Sequence, residues 1–83
     1  MTPYRLVLES AVLHFVLARR LAERRFIIRT FDALAADPYR HGDYQEKTSA
    51  GREMEVILIG KYIITYWADH AVKELRIVRA EIV

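Results

Sequence analysis

Residues 52–69 read REMEVILI, then GK, then YIITYWAD: two β-type runs joined by Gly60-Lys61. β-Branched and aromatic side chains fill both runs, and glycine at the first of two linking positions suits a type II′ turn, so the stretch predicts a β-hairpin. A two-residue turn sets the register: Ile59 faces Tyr62, Leu58 faces Ile63, and Met54 faces Trp67. Alternation then puts Met54, Val56, Leu58, Ile63, Thr65 and Trp67 on one face, and Glu55, Ile57, Ile59, Tyr62, Ile64 and Tyr66 on the other. Both faces are largely apolar, whereas a sheet with one wet face alternates more cleanly. Each face needs a cover.

Working outward, Val72–Ile82 follows His70-Ala71 as a third long β segment. Upstream, Tyr44–Thr48 reads as a short edge strand between the turn signals His41-Gly42-Asp43 and Ser49-Ala50-Gly51. From Ala11 to Ala36 there is neither Pro nor Gly, and Val12, Leu13, Val16, Leu17 and Leu21, then Ile27, Ile28, Phe31, Leu34 and Ala35, keep helical spacing. A single helix of that length would run ~39 Å. The polar run around Arg19–Glu23 predicts instead two antiparallel helices with a tight turn there, one bent helix being the alternative. Asp37-Pro38 closes the helical region. Tyr4–Glu9 predicts an opening strand, with Ser10 as the N-cap of the first helix. The expected fold is α+β: an N-terminal strand, a helical hairpin, then an antiparallel sheet of three to four strands, in the order β-α-α-β-β-β, with both helices on one face.

Eighty-three residues make one domain, taken as 1–83. A chain this short buries only about 60% of its unfolded surface, so its core is marginal. There is no cysteine, which excludes a disulfide, a zinc knuckle and a Cys nucleophile. With 53% hydrophobic and 29% charged residues the chain is globular in composition. Charge is uneven: residues 1–41 hold seven arginines against four acids, while residues 42–83 hold six basic residues against seven acids. That bias is compatible with nucleic acid as a partner. Tyr4–Leu17 is apolar but broken by Glu9, Ser10 and His14; no membrane span or signal peptide is expected, and the cytoplasm is the expected location. The apolar excess leaves two readings. Either the helices and the Tyr39–Thr48 segment wrap both faces, or a partner's amphipathic helix lies on a groove floored by Tyr62 and Tyr66, with Ile57, Ile59 and Ile64 beside them.

Several short signatures belong together: the opening strand, Leu34-Ala35-Ala36-Asp37-Pro38 at the end of the helices, Gly51-Arg52 before a strand, Gly60-Lys61-Tyr62-Ile63-Ile64-Thr65-Tyr66, and Glu74-Leu75-Arg76-Ile77 in the last strand. In this order and spacing, from Tyr4 to Ile82, they resemble the RelE/ParE superfamily of toxins from type II toxin–antitoxin systems. The resemblance implies a compact basic protein held inactive by a cognate antitoxin that wraps it with helices or an added strand; homodimer and heterotetramer both stay open. Free, such proteins cleave messenger RNA on the ribosome or inhibit DNA gyrase. Both branches carry arginine directly after the first tyrosine of the hairpin, where this chain has Ile63, and the basic and aromatic residues often found beyond the last strand have no counterpart here. The readings that follow are therefore three: a messenger-RNA-cleaving toxin, a catalytically degenerate antitoxin-binding module, and a gyrase inhibitor.

In-line attack of a 2′-hydroxyl on its phosphodiester needs a base, an acid and positive charge at the phosphate. Arg52, Asp69, His70 and Arg76 are the catalytic candidates; the hairpin register sets Arg52 opposite Asp69 with His70 next along, and an imidazole can serve as acid or base. The bland alternative is an Arg52–Asp69 surface ion pair worth under ~1 kcal/mol, with His70 a turn residue. Lys47, Arg52, Lys61 and Arg79 are candidate phosphate contacts, as are Arg19, Arg20, Arg24 and Arg25, which read equally as a solvated helix apex. Tyr62, Tyr66 and Trp67 either stack bases or pack. His14 reads as structural. His14, His41 and His70 lack metal-ligand spacing, so neither a metal nor a cofactor is expected.

Overall fold

Gly60 takes φ +58 at the first position of the Gly60-Lys61 turn, a left-handed conformation that glycine adopts without strain. In the computed structural model, which describes residues 2–83, the turn joins β3 (Glu53–Ile59) to β4 (Tyr62–Asp69). The register follows the sequence expectation, with Ile59 opposite Tyr62 and Leu58 opposite Ile63, through to Glu55 opposite Tyr66. The remaining elements are β1 (Arg5–Leu8), α1 (Ser10–Leu17), α2 (Leu21–Ala36), β2 (Tyr44–Lys47) and β5 (Glu74–Ile82).

The five strands stand in the order β1-β5-β4-β3-β2. The expected antiparallel run is present from β2 to β5, but β1 adds a parallel fifth strand, with Arg5 opposite Glu74 and Leu8 opposite Ile77. The first strand thus borders the last, and the helical hairpin carries the chain across the sheet to the opposite edge. The helical break falls at Ala18–Arg20, overlapping the start of the turn expected around Arg19–Glu23, whose remaining residues already belong to the second helix. Glu9, not Ser10, precedes the first helix: its carbonyl accepts from Val12 N and Leu13 N at 2.9 and 3.0 Å, and no side chain caps the helix. β1 runs directly into the helix, so Ser10 is already its first residue. His14 is exposed on α1, contrary to its structural reading.

Both helices lie on one sheet face. Val12 and Val16 of α1, with Ile27, Phe31 and Leu34 of α2, meet Ile57, Tyr62, Ile64, Tyr66, Leu75 and Ile77 in the core. The α2 spacing i, i+4, i+7 makes this stripe, and each large apolar side chain so buried contributes about 1.5–3 kcal/mol. The groove expected over Tyr62, Ile64, Tyr66, Ile57 and Ile59 is therefore absent. Tyr62 and Tyr66 are 3% and 1% exposed, and Ile59 packs against the same core. Two apolar faces were equally eligible, and the helices took this one. Tyr62 donates to Glu23 Oε1 at 3.0 Å and Tyr66 to the Arg40 carbonyl at 3.0 Å, so their hydroxyls are satisfied at the edge of the core. Burial pushes the Tyr66 phenol up to about 12.

Candidate functional site

The other sheet face carries the basic residues. Trp67 on β4 stands opposite Arg76 on β5, and Thr65 opposite Arg79. Arg76 and Arg79 are three residues apart, which in a regular strand would put them on opposite faces. Between the pairs Thr65–Arg79 and Tyr66–Ile77, β5 inserts Val78 as a bulge, and this returns Arg79 to the face of Arg76.

Trp67 is clasped by two guanidinium groups. That of Arg52 lies 3.7 Å from the centre of the indole ring and that of Arg76 lies 5.7 Å away. Both distances are within cation–π range. Arg76 also donates to Glu74 Oε1 at 2.7 Å, and Arg5 of β1 bonds the other oxygen of the same carboxylate. The Glu74 side chain is buried, and the Arg5 guanidinium beside it, helped by Arg76, holds its carboxyl below the usual carboxylate range. Arg79 bonds Glu46 of β2 at 3.1 Å and Glu81 at 3.3 Å. Glu46 and Arg79 are separated by two intervening strands, so their contact crosses the face above Thr65 and Val56. Those residues are 1% and 0% exposed, although no helix covers them.

A cleft of about 270 Å³ opens where Trp67 meets the end of the sheet, with Tyr39, His41, Glu53, Tyr66 and His70 among its walls. His70 Nδ1 is 2.8 Å from the Tyr4 hydroxyl, and its ring stacks on Tyr39 at 4.5 Å and 8°. The bond to Tyr39, and then burial, raise the Tyr4 phenol above its ordinary value. His41 Nδ1 lies 3.5 Å from Glu55 Oε1. Across this wall Gly42 donates to Glu55 Oε1 at 2.8 Å, and its backbone passes so near β3 that a Cβ there would stand 2.4 Å from the Val56 carbonyl oxygen.

The sequence candidates are thus divided. Arg52, Arg76 and Arg79 share the open face. Asp69 does not pair with Arg52: its Oδ1 accepts from Ala71 N at 3.2 Å, while Arg52 lies on Trp67. His70 turns to Tyr4 and Tyr39 at the cleft. Lys47 is exposed opposite Glu53, on the side of the edge strand away from Glu46. Lys61 binds Glu23 at 2.8 Å, which raises the ammonium and lowers the carboxyl from their ordinary values. At the helical turn, Arg24 Nε donates to the Arg19 carbonyl at 2.7 Å, and Arg19 lies 4.8 Å from the Phe15 ring centre. These two arginines build the turn, whereas Arg20 and Arg25 are exposed. Glu46, Thr65, Glu74, Arg5, Tyr4 and Tyr39 were missed. Only the pairing of β1 with β5 and the bulge at Val78 bring them into view. Among the described residues no cluster of three His, Cys, Asp or Glu side chains is placed to hold a metal, and no helix is long and apolar enough to cross a membrane.

No family model matches the chain, and no curated protein matches it by sequence. Solved structures do. A chain of the archaeal RelE–RelB complex from Pyrococcus horikoshii superposes with a TM-score of 0.77 at 15% identity, covering 98% of this chain and 96% of its own. A chain of the toxin–antitoxin complex RelBE2 from Mycobacterium tuberculosis superposes at 0.80 and 17% identity, covering 100% and 94%. The fold expected from the short signatures is the fold observed, and it is RelE-like over the whole chain.

Proposed function

We propose that this chain is the toxin of a type II toxin–antitoxin pair, restrained by a cognate antitoxin, and that the free protein arrests translation by cleaving messenger RNA. Full-length likeness to chains solved within toxin–antitoxin complexes supports the first half. One observation carries the second: on the open face the guanidinium groups of Arg52 and Arg76 lie 3.7 and 5.7 Å from the centre of the Trp67 ring. A base stacks on an aromatic platform with ~1–3 kcal/mol, and neighbouring guanidinium groups hold its phosphates. At the scissile phosphate they offset the charge that builds as the 2′-hydroxyl attacks and the 5′-oxygen leaves.

A second reading has its own observation. Glu74 already neutralises Arg5 and Arg76, and Glu46 and Glu81 already neutralise Arg79. A face so balanced, with Ile63 in place of the family's arginine, suits a protein that keeps antitoxin binding and has lost cleavage.

Inducing the gene alone in a bacterial host, and again with the neighbouring reading frame, tests both. Growth arrest with cut messenger RNA, relieved by the neighbour, is the expected result. Arrest with intact messenger RNA and relaxed chromosomal DNA would replace cleavage by gyrase inhibition. Normal growth with soluble protein bound by the neighbour's product would establish the inactive module.

A further inference from the structure

We infer that the free edge of β1 pairs with the same edge of a second copy of this chain, antiparallel about a two-fold axis through Val7, so that two five-stranded sheets become one. The pairing is independent of the function proposed above.

The edge is open and sharply bounded. Arg5 N and Glu9 N donate to the Lys73 and Ile77 carbonyls, so residues 5, 7 and 9 turn their main-chain groups towards β5. The main-chain groups of Leu6 and Leu8 point the other way, and among the described residues they have no backbone partner there. At one end the Tyr4 amide is taken by the Ala35 carbonyl at 2.9 Å, and at the other α1 begins at Ser10. Unpaired amides and carbonyls on an edge are a template for another strand unless charge, proline or a bulge protects them. The opposite edge is protected: β2 reads Tyr-Gln-Glu-Lys, and beside it the Asp43 carboxylate accepts from Leu58 N at 2.6 Å. The pairing segment of β1, Leu6-Val7-Leu8, carries no charge.

The order of residues selects a second copy as the partner. Residues 5–9 read Arg-Leu-Val-Leu-Glu, symmetric about Val7 with opposite charges at the two ends. Antiparallel pairing centred on Val7 sets Leu6 opposite Leu8 of the second copy, where each donates to and accepts from the other, and sets Arg5 opposite Glu9 of the second copy. Arg5, Val7 and Glu9 share the helix-free face and form the closer, non-hydrogen-bonded pairs of this ladder, so the facing charges stabilise it on both sides of the axis. A register centred on Leu6 or Leu8 would oppose a charge to Val7 instead. Both charges are accessible. The Arg5 side chain is 75% exposed although it reaches Glu74, and Glu9 is exposed with no ion pair among the described residues. Because the axis stands perpendicular to the sheet, both helix-free faces look the same way.

Sedimentation equilibrium of the purified full chain should show monomer and dimer in exchange, with a dissociation constant on the order of 10–100 μM for so small an interface. Glu9→Arg sets like charges face to face and should weaken the dimer about tenfold. Val7→Lys puts two ammonium groups on the axis and should leave a monomer, with circular dichroism checking the fold of both variants. The chain has no cysteine, so a single introduced one reports the pairing directly. Cα atoms of a non-hydrogen-bonded antiparallel pair stand about 4.5 Å apart, within reach of a disulfide. Val7→Cys should therefore oxidise to a covalent dimer on the order of tenfold faster than Gln45→Cys, which lies exposed on the β2 edge. A protein that stays monomeric up to ~0.5 mM would overturn the inference. So would a dimer that folded Glu9→Arg and Val7→Lys variants leave intact, or crosslinking of Gln45→Cys as fast as Val7→Cys.

Discussion

Tyr4 and His70, 66 residues apart, are joined by a 2.8 Å hydrogen bond between phenol and imidazole. The bond ties the entrance of β1 to the end of β4 and holds the His70 ring flat against Tyr39. Tyr4→Phe keeps the packed ring and deletes only the bond. The expected outcome is a fall of a few degrees in the thermal midpoint, with His70 free to turn out of the cleft. Heteronuclear NMR of the imidazole, before and after the change, checks the loss of the fixed ring.

Gly42→Ala should be among the more damaging single changes in the chain. The added methyl would meet the oxygen, carbon and nitrogen of Val56 at 2.4, 2.8 and 2.9 Å, all of them backbone atoms of a central strand. A loss of about 2–3 kcal/mol is expected, read from the midpoint of urea unfolding.

The Tyr66 phenol, pushed up to about 12 by burial, makes stability fall at high pH. Between pH about 10 and 12 the unfolded chain has released this proton and the folded one has kept it, so each rise in pH favours unfolding. Tyr66→Phe should flatten that limb, and should lose about 1 kcal/mol at neutral pH with the bond to the Arg40 carbonyl.

Glu74 acts at the acid end. Its carboxyl is held below the ordinary value of 4.5 by Arg5 and Arg76. The stability it contributes is present above that value and is lost as pH falls through the lower folded one. Glu74→Gln should therefore weaken the docking of β1 and show a shallower acid limb than the native chain in pH-dependent unfolding.

Trp67 is the single tryptophan, and it reports on its own neighbours. Arg52→Ala should change its emission, because the guanidinium at 3.7 Å is removed from the ring. Single-stranded RNA should quench the native emission, with an effect that fades steeply as salt is raised.

The hairpin and its register were legible because a two-residue turn with glycine leaves the pairing no freedom at Ile59 and Tyr62. The helical pair was legible for a similar local reason, the polar interruption at Arg19–Glu23. Which face the helices cover was not, since Tyr62 and Tyr66 alternate with Val56 and Thr65 in runs of similar polarity. The candidate site suffered most from non-local geometry. Residue spacing separates Arg76 from Arg79, and only a bulge, set by pairing across β4, reunites them. Likewise nothing near His70 points to Tyr4. The Arg52–Asp69 pairing failed because the ladder of β3 and β4 ends at Glu55 opposite Tyr66, which leaves Arg52 free to lie on the indole.

The place of β1 beside β5 has a consequence for how the molecule is made. Arg5 and Glu74, which join these strands, are 69 positions apart, whereas every other strand pairs with one that follows it closely. As the chain leaves the ribosome, the helices and the hairpin of β3 and β4 can assemble in turn. The strand synthesised first has no partner until the strand synthesised latest among them emerges. Until then Glu74 and Arg76 are not yet in the sheet, and the guanidinium clasp on Trp67 is half built. Completion of the basic face is thereby timed to the end of this stretch of synthesis, and the nascent protein is kept without it.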